Sequence, residues 1–228
     1  MNNPSAKARI QPPASLKLAA FALLWLALIA QAIWMGFHHF RLHEPWSSMS
    51  YPLTFAMPFL FLAVTYGRTR WIASLLRLPV AAAFLDAVAD RLGFLGPHGA
   101  PGVAWGDFTH FIAYTAVLNP FMPHATIPAL AVLATIGEST FGITLLLGIR
   151  LRLAAIGAAA LLFLFATAMT ISGFSQFSYG VYLMSAGMLA LSTVDASLFS
   201  VDAILGKQKI KIPQPQPLTL NETAQPEN

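Results

Sequence analysis

Glu138 stands in the apolar run Thr135-Ile-Gly-Glu138-Ser-Thr-Phe-Gly142. A carboxylate inside a segment long enough to cross a bilayer is a candidate functional group, and it demands a partner. Arg77 is the cation expected to supply one. It lies roughly 9 Å into the run that starts at Trp71, and Glu138 lies roughly 15 Å from the end of its own run, at 1.5 Å per helical residue. The two runs are antiparallel, and an arginine reaching along its helix covers most of that difference. An Arg77–Glu138 pair inside the bundle is therefore the expected polar centre. It could serve as a proton- or quinone-linked site, or as a buried ion pair that only fixes helix register.

Other groups could contribute. Asp86 and Asp90 are spaced i,i+4 and share one helix face. A close carboxylate pair suits proton exchange, although Asp90-Arg91 also reads as a solvated pair at the membrane interface. All six histidines, His38, His39, His43, His98, His110 and His124, fall in segments expected on the outer side. Their spacing matches no metal motif, and none of them is assigned as a metal ligand. Trp34, Trp46, Trp105 and Tyr51 fit an aromatic belt at that face. With Glu138 and Arg77 as the reactive pair, Asp86, Trp105 and Tyr114 are the candidate contacts for a cofactor head group. No phosphate loop or nucleophile elbow is present.

These residues need a membrane to hold them. The 228-residue chain is 57% hydrophobic and 10% charged, against about 25% charged residues in soluble domains. The net charge of +4 comes from Lys and Arg at the ends of apolar runs, where membrane topology places them. Nucleic acid is therefore not an expected partner. Without cysteine, the chain can form no disulfide, thiolate metal site or iron–sulfur cluster of its own.

Six spans are expected, at residues 18–36, 51–67, 71–92, 126–148, 151–171 and 178–198. Ala30-Gln31-Ala32 resembles a signal-peptide cleavage site, but the apolar run continues through Ile33, Trp34 and Met35, so the first segment reads as a retained span. Pro58 and Pro79 predict kinks. The segment 96–102, Gly-Pro-His-Gly-Ala-Pro-Gly, is rich in turn formers and should be irregular. Asp107 caps a short interfacial helix at 108–118, which Asn119-Pro120 stops. The connection at Ile149-Arg150 makes its flanking helices antiparallel neighbours. Arg68, Arg70, Arg150, Arg152 and the tails 1–17 and 199–228 then fall on one side, putting both termini in the cytoplasm. The Pro-Gln-Pro-Gln-Pro tail should be disordered.

Together these segments resemble the DoxX-like family of bacterial membrane proteins. The resemblance is carried by Ser74-Leu-Leu-Arg77-Leu, Phe84-Leu-Asp86-Ala-Val-Ala-Asp90-Arg91-Leu-Gly93, Trp105-Gly-Asp107-Phe, Ala134-Thr-Ile-Gly-Glu138, Leu146-Leu-Gly148-Ile-Arg150, Arg152-Leu-Ala-Ala and Phe165-Ala-Thr-Ala-Met169. It covers residues 71–198 and leaves the first two spans outside. It implies an all-α membrane protein with a four-helix core, residing in the bacterial inner membrane. Some relatives are associated with thiosulfate:quinone oxidoreductase or with redox-stress assemblies. A quinone cofactor and a membrane or extracytoplasmic protein partner are what the resemblance implies. A non-catalytic scaffold of a larger complex is the alternative. Many relatives carry Gly and Lys after the first core helix, where this chain has Asp86, Asp90 and Arg91.

Overall fold

The computed structural model describes residues 12–45, 50–173 and 175–208. Residues 1–11, Trp46 and the tail from Lys209 onward lie outside the described residues. The protein is all-helical among the described residues. Its helices are α1 Ala14–Leu42, α2 Ser50–Thr65, α3 Arg70–Arg91, α4 Phe108–Leu118, α5 Ile127–Leu147, α6 Leu151–Ile171, α7 Ser175–Leu191 and α8 Val201–Gln208, with a 3₁₀ turn at His124–Thr126 leading into α5. Four helical stretches are long and apolar enough to cross a membrane: Ala14–Leu42, Arg70–Arg91, His124–Leu147 and Leu151–Ile171. The other two expected spans, α2 and α7, are shorter apolar helices packed among these four.

Apolar side chains face inward along regular helical stripes. Ala154, Ala155, Ala158, Ala159, Leu162 and Ala166 form the buried face of α6. Their small size lets α7 approach closely, and Ser185 Oγ donates to the Ala159 carbonyl across that contact at 2.8 Å. α3 packs on α5, and α1 on α7. The outward faces carry large apolar residues such as Leu26, Ile33, Leu133 and Leu164, each more than half exposed, as a lipid-facing surface requires.

Three element boundaries differ from the sequence expectation. α1 continues through His38 and His39 to Leu42, because nothing between Gly36 and His43 breaks a helix. It ends where His43 turns left-handed at φ 57° and the Glu44 amide donates back to the His38 carbonyl at 3.2 Å. α7 stops at Leu191 rather than near 198. The Ser192 and Thr193 hydroxyls donate to the Leu189 and Ala190 carbonyls, at 2.7 Å each, and compete with helix continuation. The stretch from 199, expected to be irregular, begins with α8, whose first turn is capped by Ser200 Oγ accepting from the Ala203 amide at 3.1 Å. Both α2 and α3 run through their internal prolines, Pro58 and Pro79.

Arg68, Arg70, Arg150 and Arg152 do gather at one end of the bundle. Arg70 pairs with Asp195 at 2.9 Å, and a cleft brings Lys17, Arg150 and Arg152 together. That end also holds Arg77. Its Nη2 donates to the Phe199 carbonyl at 2.7 Å, and it abuts Gly148 at the end of α5. Gly148 has φ 71°, and its amide returns to the Thr144 carbonyl. A Cβ at this position would overlap Arg77 Nη1 and Ser200. Gly148→Ala is therefore expected to lower stability by about 1–3 kcal/mol, combining left-handed strain with a steric clash. Thermal unfolding in detergent should show a clear drop in Tm for this variant and little change for Ile149→Ala.

Candidate functional site

Glu138 is buried in the middle of α5, with 5% of its surface exposed. Its partner is Arg91, not Arg77: Arg91 Nη1 lies 2.6 Å from Glu138 Oε2. The correction is one of helix register. Arg77 lies level with Gly148, ten residues beyond Glu138 and about 15 Å further along α5. Since α3 is displaced toward the basic end of the bundle, its last residue falls beside the middle of its neighbour. Arg91, expected to be a solvated interfacial residue, is 1% exposed.

The Arg91 guanidinium has further partners besides Glu138. Nε donates to the Ala87 carbonyl at 3.0 Å, and Nη1 donates to Thr135 Oγ1 at 3.1 Å. The guanidinium carbon sits 3.7 Å from the Phe111 ring centroid and 5.1 Å from that of Trp105. Aromatic faces attract a planar cation, more strongly once water is excluded. Arg91 thus joins α3, α4, α5 and the loop between α3 and α4 at one point.

Asp90 fixes the loop that closes over this point. It was also expected to be solvated, yet it is 4% exposed. Its carboxylate accepts from the amides of Ala104, Trp105 and Gly106 at 2.7, 3.1 and 2.8 Å. Gly106 has φ 72°, and a Cβ there would overlap the backbone of Pro97 and His98. The irregular loop is therefore cinched onto the end of α3 and carries Trp105 over Arg91. In the sequence, the only sign of this was an acid-base dipeptide followed by a glycine-rich loop, which is also what a solvated helix end looks like.

Trp105 also lines a cavity of about 330 Å³, together with His98, Ala104, His110 and Tyr114. Trp105 meets Phe111 edge-on at 5.1 Å and Tyr114 at 5.6 Å between centroids. His98 and His110 stack at 3.8 Å with an 11° interplanar angle. His98 Nδ1 donates to the Trp105 carbonyl at 3.1 Å, and His110 Nδ1 donates to Asp107 Oδ2 at 2.8 Å. With Nδ1 as the donor, the neutral form of each ring has Nε2 as its acceptor nitrogen. Near-parallel rings cannot aim their in-plane lone pairs at a common ion, and no group of three metal-ligating side chains is gathered among the described residues. Burial pushes the Tyr114 phenol above its usual range, so it remains a donor.

The residues named from sequence are thus divided. Trp105 and Tyr114 do share a cavity beside the buried pair that contains Glu138. Asp86 lies on the exposed face of α3, and Arg77 serves the opposite end of the bundle. Asp90, Arg91, His98, His110 and Phe111 are the components that sequence reasoning did not assign to the site.

Fold and site define a multi-pass α-helical membrane protein in which the loop between α3 and α4 covers a buried arginine–glutamate pair. The family model described as "TQO small subunit DoxD" matches residues 72–223. The chain belongs to this DoxX-related family. No curated protein and no solved structure matches it.

Two outcomes follow from this geometry. Arg91→Met strands a buried carboxylate and is expected to lower stability by about 3–5 kcal/mol, whereas Arg91→Met combined with Glu138→Leu should recover most of that loss. Comparing the midpoints of chemical unfolding for the three proteins checks both halves. At the entrance, Asp107 caps α4, and the His110 amide and ring hold its carboxyl below the ordinary aspartate value. A depressed pKa means that the cap is fully present above about pH 4 and is lost as pH falls through the lowered folded value. The protection of the His110 amide against hydrogen exchange, relative to its intrinsic rate at each pH, should fall over that acid range in the wild type and be low throughout in Asp107→Ala.

Proposed function

We propose that the protein is a quinone-linked subunit of a redox complex in the bacterial inner membrane, with both termini cytoplasmic and the quinone head group held in the outer cavity. The observation that carries this reading is an aromatic and histidine-lined cavity whose Trp105 also packs on the arginine of a buried ion pair. Quinone-linked relatives of the family add support, and the description "small subunit" points to a protein partner.

The donor set suits such a ligand. A quinone head group is a flat ring with polar oxygens, and it favours an aromatic wall and a few placed hydrogen-bonding groups. Trp105 supplies the wall. The Tyr114 hydroxyl can donate to a carbonyl oxygen, and Nε2 of His98 or His110 can accept from a hydroxyl. When bound, the quinone supplies two-electron chemistry coupled to two protons.

The chain's own residues would manage orientation and protons. The Asp107 carboxylate holds His110 as the Nδ1–H tautomer, and the Trp105 carbonyl does the same for His98. Two bases are thus kept ready at Nε2 near the outer face. Arg91 fixes Trp105 from below, so the ring is positioned by the same cation that neutralises Glu138.

Protein purified in mild detergent should retain quinone, measured in its lipid extract. Trp105→Ala is expected to reduce retention about fivefold, the scale of one aromatic contact, and Asp86→Asn should leave it unchanged. Unchanged retention in Trp105→Ala, or absence of quinone from the wild-type extract, returns the protein to the scaffold reading.

A further inference from the structure

A second and larger cavity lies at the other end of the bundle, where the quinone proposal has no role for it. It has a volume of about 940 Å³, and among its lining residues are Lys17 of α1, Arg150 and Arg152 at the α5–α6 turn, and Asp195 and Asp202 after α7. We propose that this cleft is a binding site for the phosphate group of an anionic membrane lipid, held by Lys17, Arg150 and Arg152.

The charge balance favours an anion. Three cations line the cleft, and Arg68 and Arg70 lie at the same end. Against these five stand two carboxylates, of which Asp195 pairs with Arg70 at 2.9 Å and Asp202 also acts on Arg77. Lys17 is also aimed by its surroundings. Its ammonium lies 4.4 Å from the Tyr66 ring centroid and 5.6 Å from that of Phe21, which holds it over the cleft margin instead of letting it extend into bulk water.

Arg150 carries a second, independent sign. It adopts φ 44°, ψ 46°, a left-handed conformation that a glycine would occupy with less strain. The chain spends conformational energy to place a guanidinium at this point of the turn. A residue held in a disfavoured region is a reason to look for a function of its side chain. The cleft opens at the end of the bundle where the membrane-crossing helices terminate, the level of lipid phosphates, and basic pockets between helices at this level accept anionic head groups.

Arg150→Gly is the discriminating variant, because glycine satisfies the backbone and removes only the side chain. Full-length protein is titrated with phosphatidylglycerol and, separately, with phosphatidylcholine, and the bound fraction is read by native mass spectrometry. The expected result is preferential retention of phosphatidylglycerol. Affinity should fall about fivefold in Arg150→Gly and again in Lys17→Gln, the scale of one basic residue at an anionic surface. Tm should be unchanged or raised in Arg150→Gly, and Arg41→Gln at the opposite end should have no effect. If excess inorganic phosphate displaces the lipid, the same cations serve a free phosphate; if it does not, the lipid is the source. Equal retention of both lipids, or unchanged phosphatidylglycerol affinity in Arg150→Gly, overturns the proposal. Quinone retention is read separately at the outer cavity, so either inference can fail without the other.

Discussion

The contact between Arg91 and Glu138 is the constraint on which this protein's arrangement around α3, α4 and α5 depends. Neither charge could remain in an apolar interior alone, and their approach at 2.6 Å requires the end of α3 to sit beside the middle of α5. That displacement leaves a recess above α3. The loop after Leu92 folds back into the recess, Asp90 ties it down through three amides, and α4 lies across it with Phe111 against the guanidinium. One ionic contact thus determines helix register, loop position and the shape of the cavity.

Its energetic meaning is distinct from its structural meaning. A buried ion pair is a poor stabiliser compared with apolar residues of the same volume, since desolvation offsets most of the Coulombic attraction. Arg91 recovers part of that loss through two further hydrogen bonds and two aromatic faces. The arrangement makes most sense where the charge has a second task, here the positioning of Trp105 against the cavity. The opposite end works differently. Arg77 is buried against backbone carbonyl and glycine, and joins α3 to the close of α5 and the start of α8.

Much of the architecture was legible in the sequence, for local reasons. The span 151–171 and the short helix 108–118 coincide with α6 and α4, because Gly148, Asp107 and Asn119-Pro120 are strong boundary signals acting within a few residues. Glu138 as the buried acid could be named from residue type and depth. Its partner could not. Arg77 and Arg91 are two candidate cations on the same helix, and the choice depends on a longitudinal shift between α3 and α5 that no local pattern encodes. The His98–His110 stack was equally hidden, since a twelve-residue separation across an irregular loop carries no periodic signal.

The most direct test of this account is a dipolar distance measurement in lipid bilayers between the labelled carboxyl carbon of Glu138 and arginine guanidinium nitrogens. A short-range coupling matching the 2.6 Å Nη1–Oε2 contact is expected, and it should vanish in Arg91→Lys and persist in Arg77→Lys. A coupling that survives Arg91→Lys and disappears in Arg77→Lys, or no coupling at all in the wild type, would contradict the account.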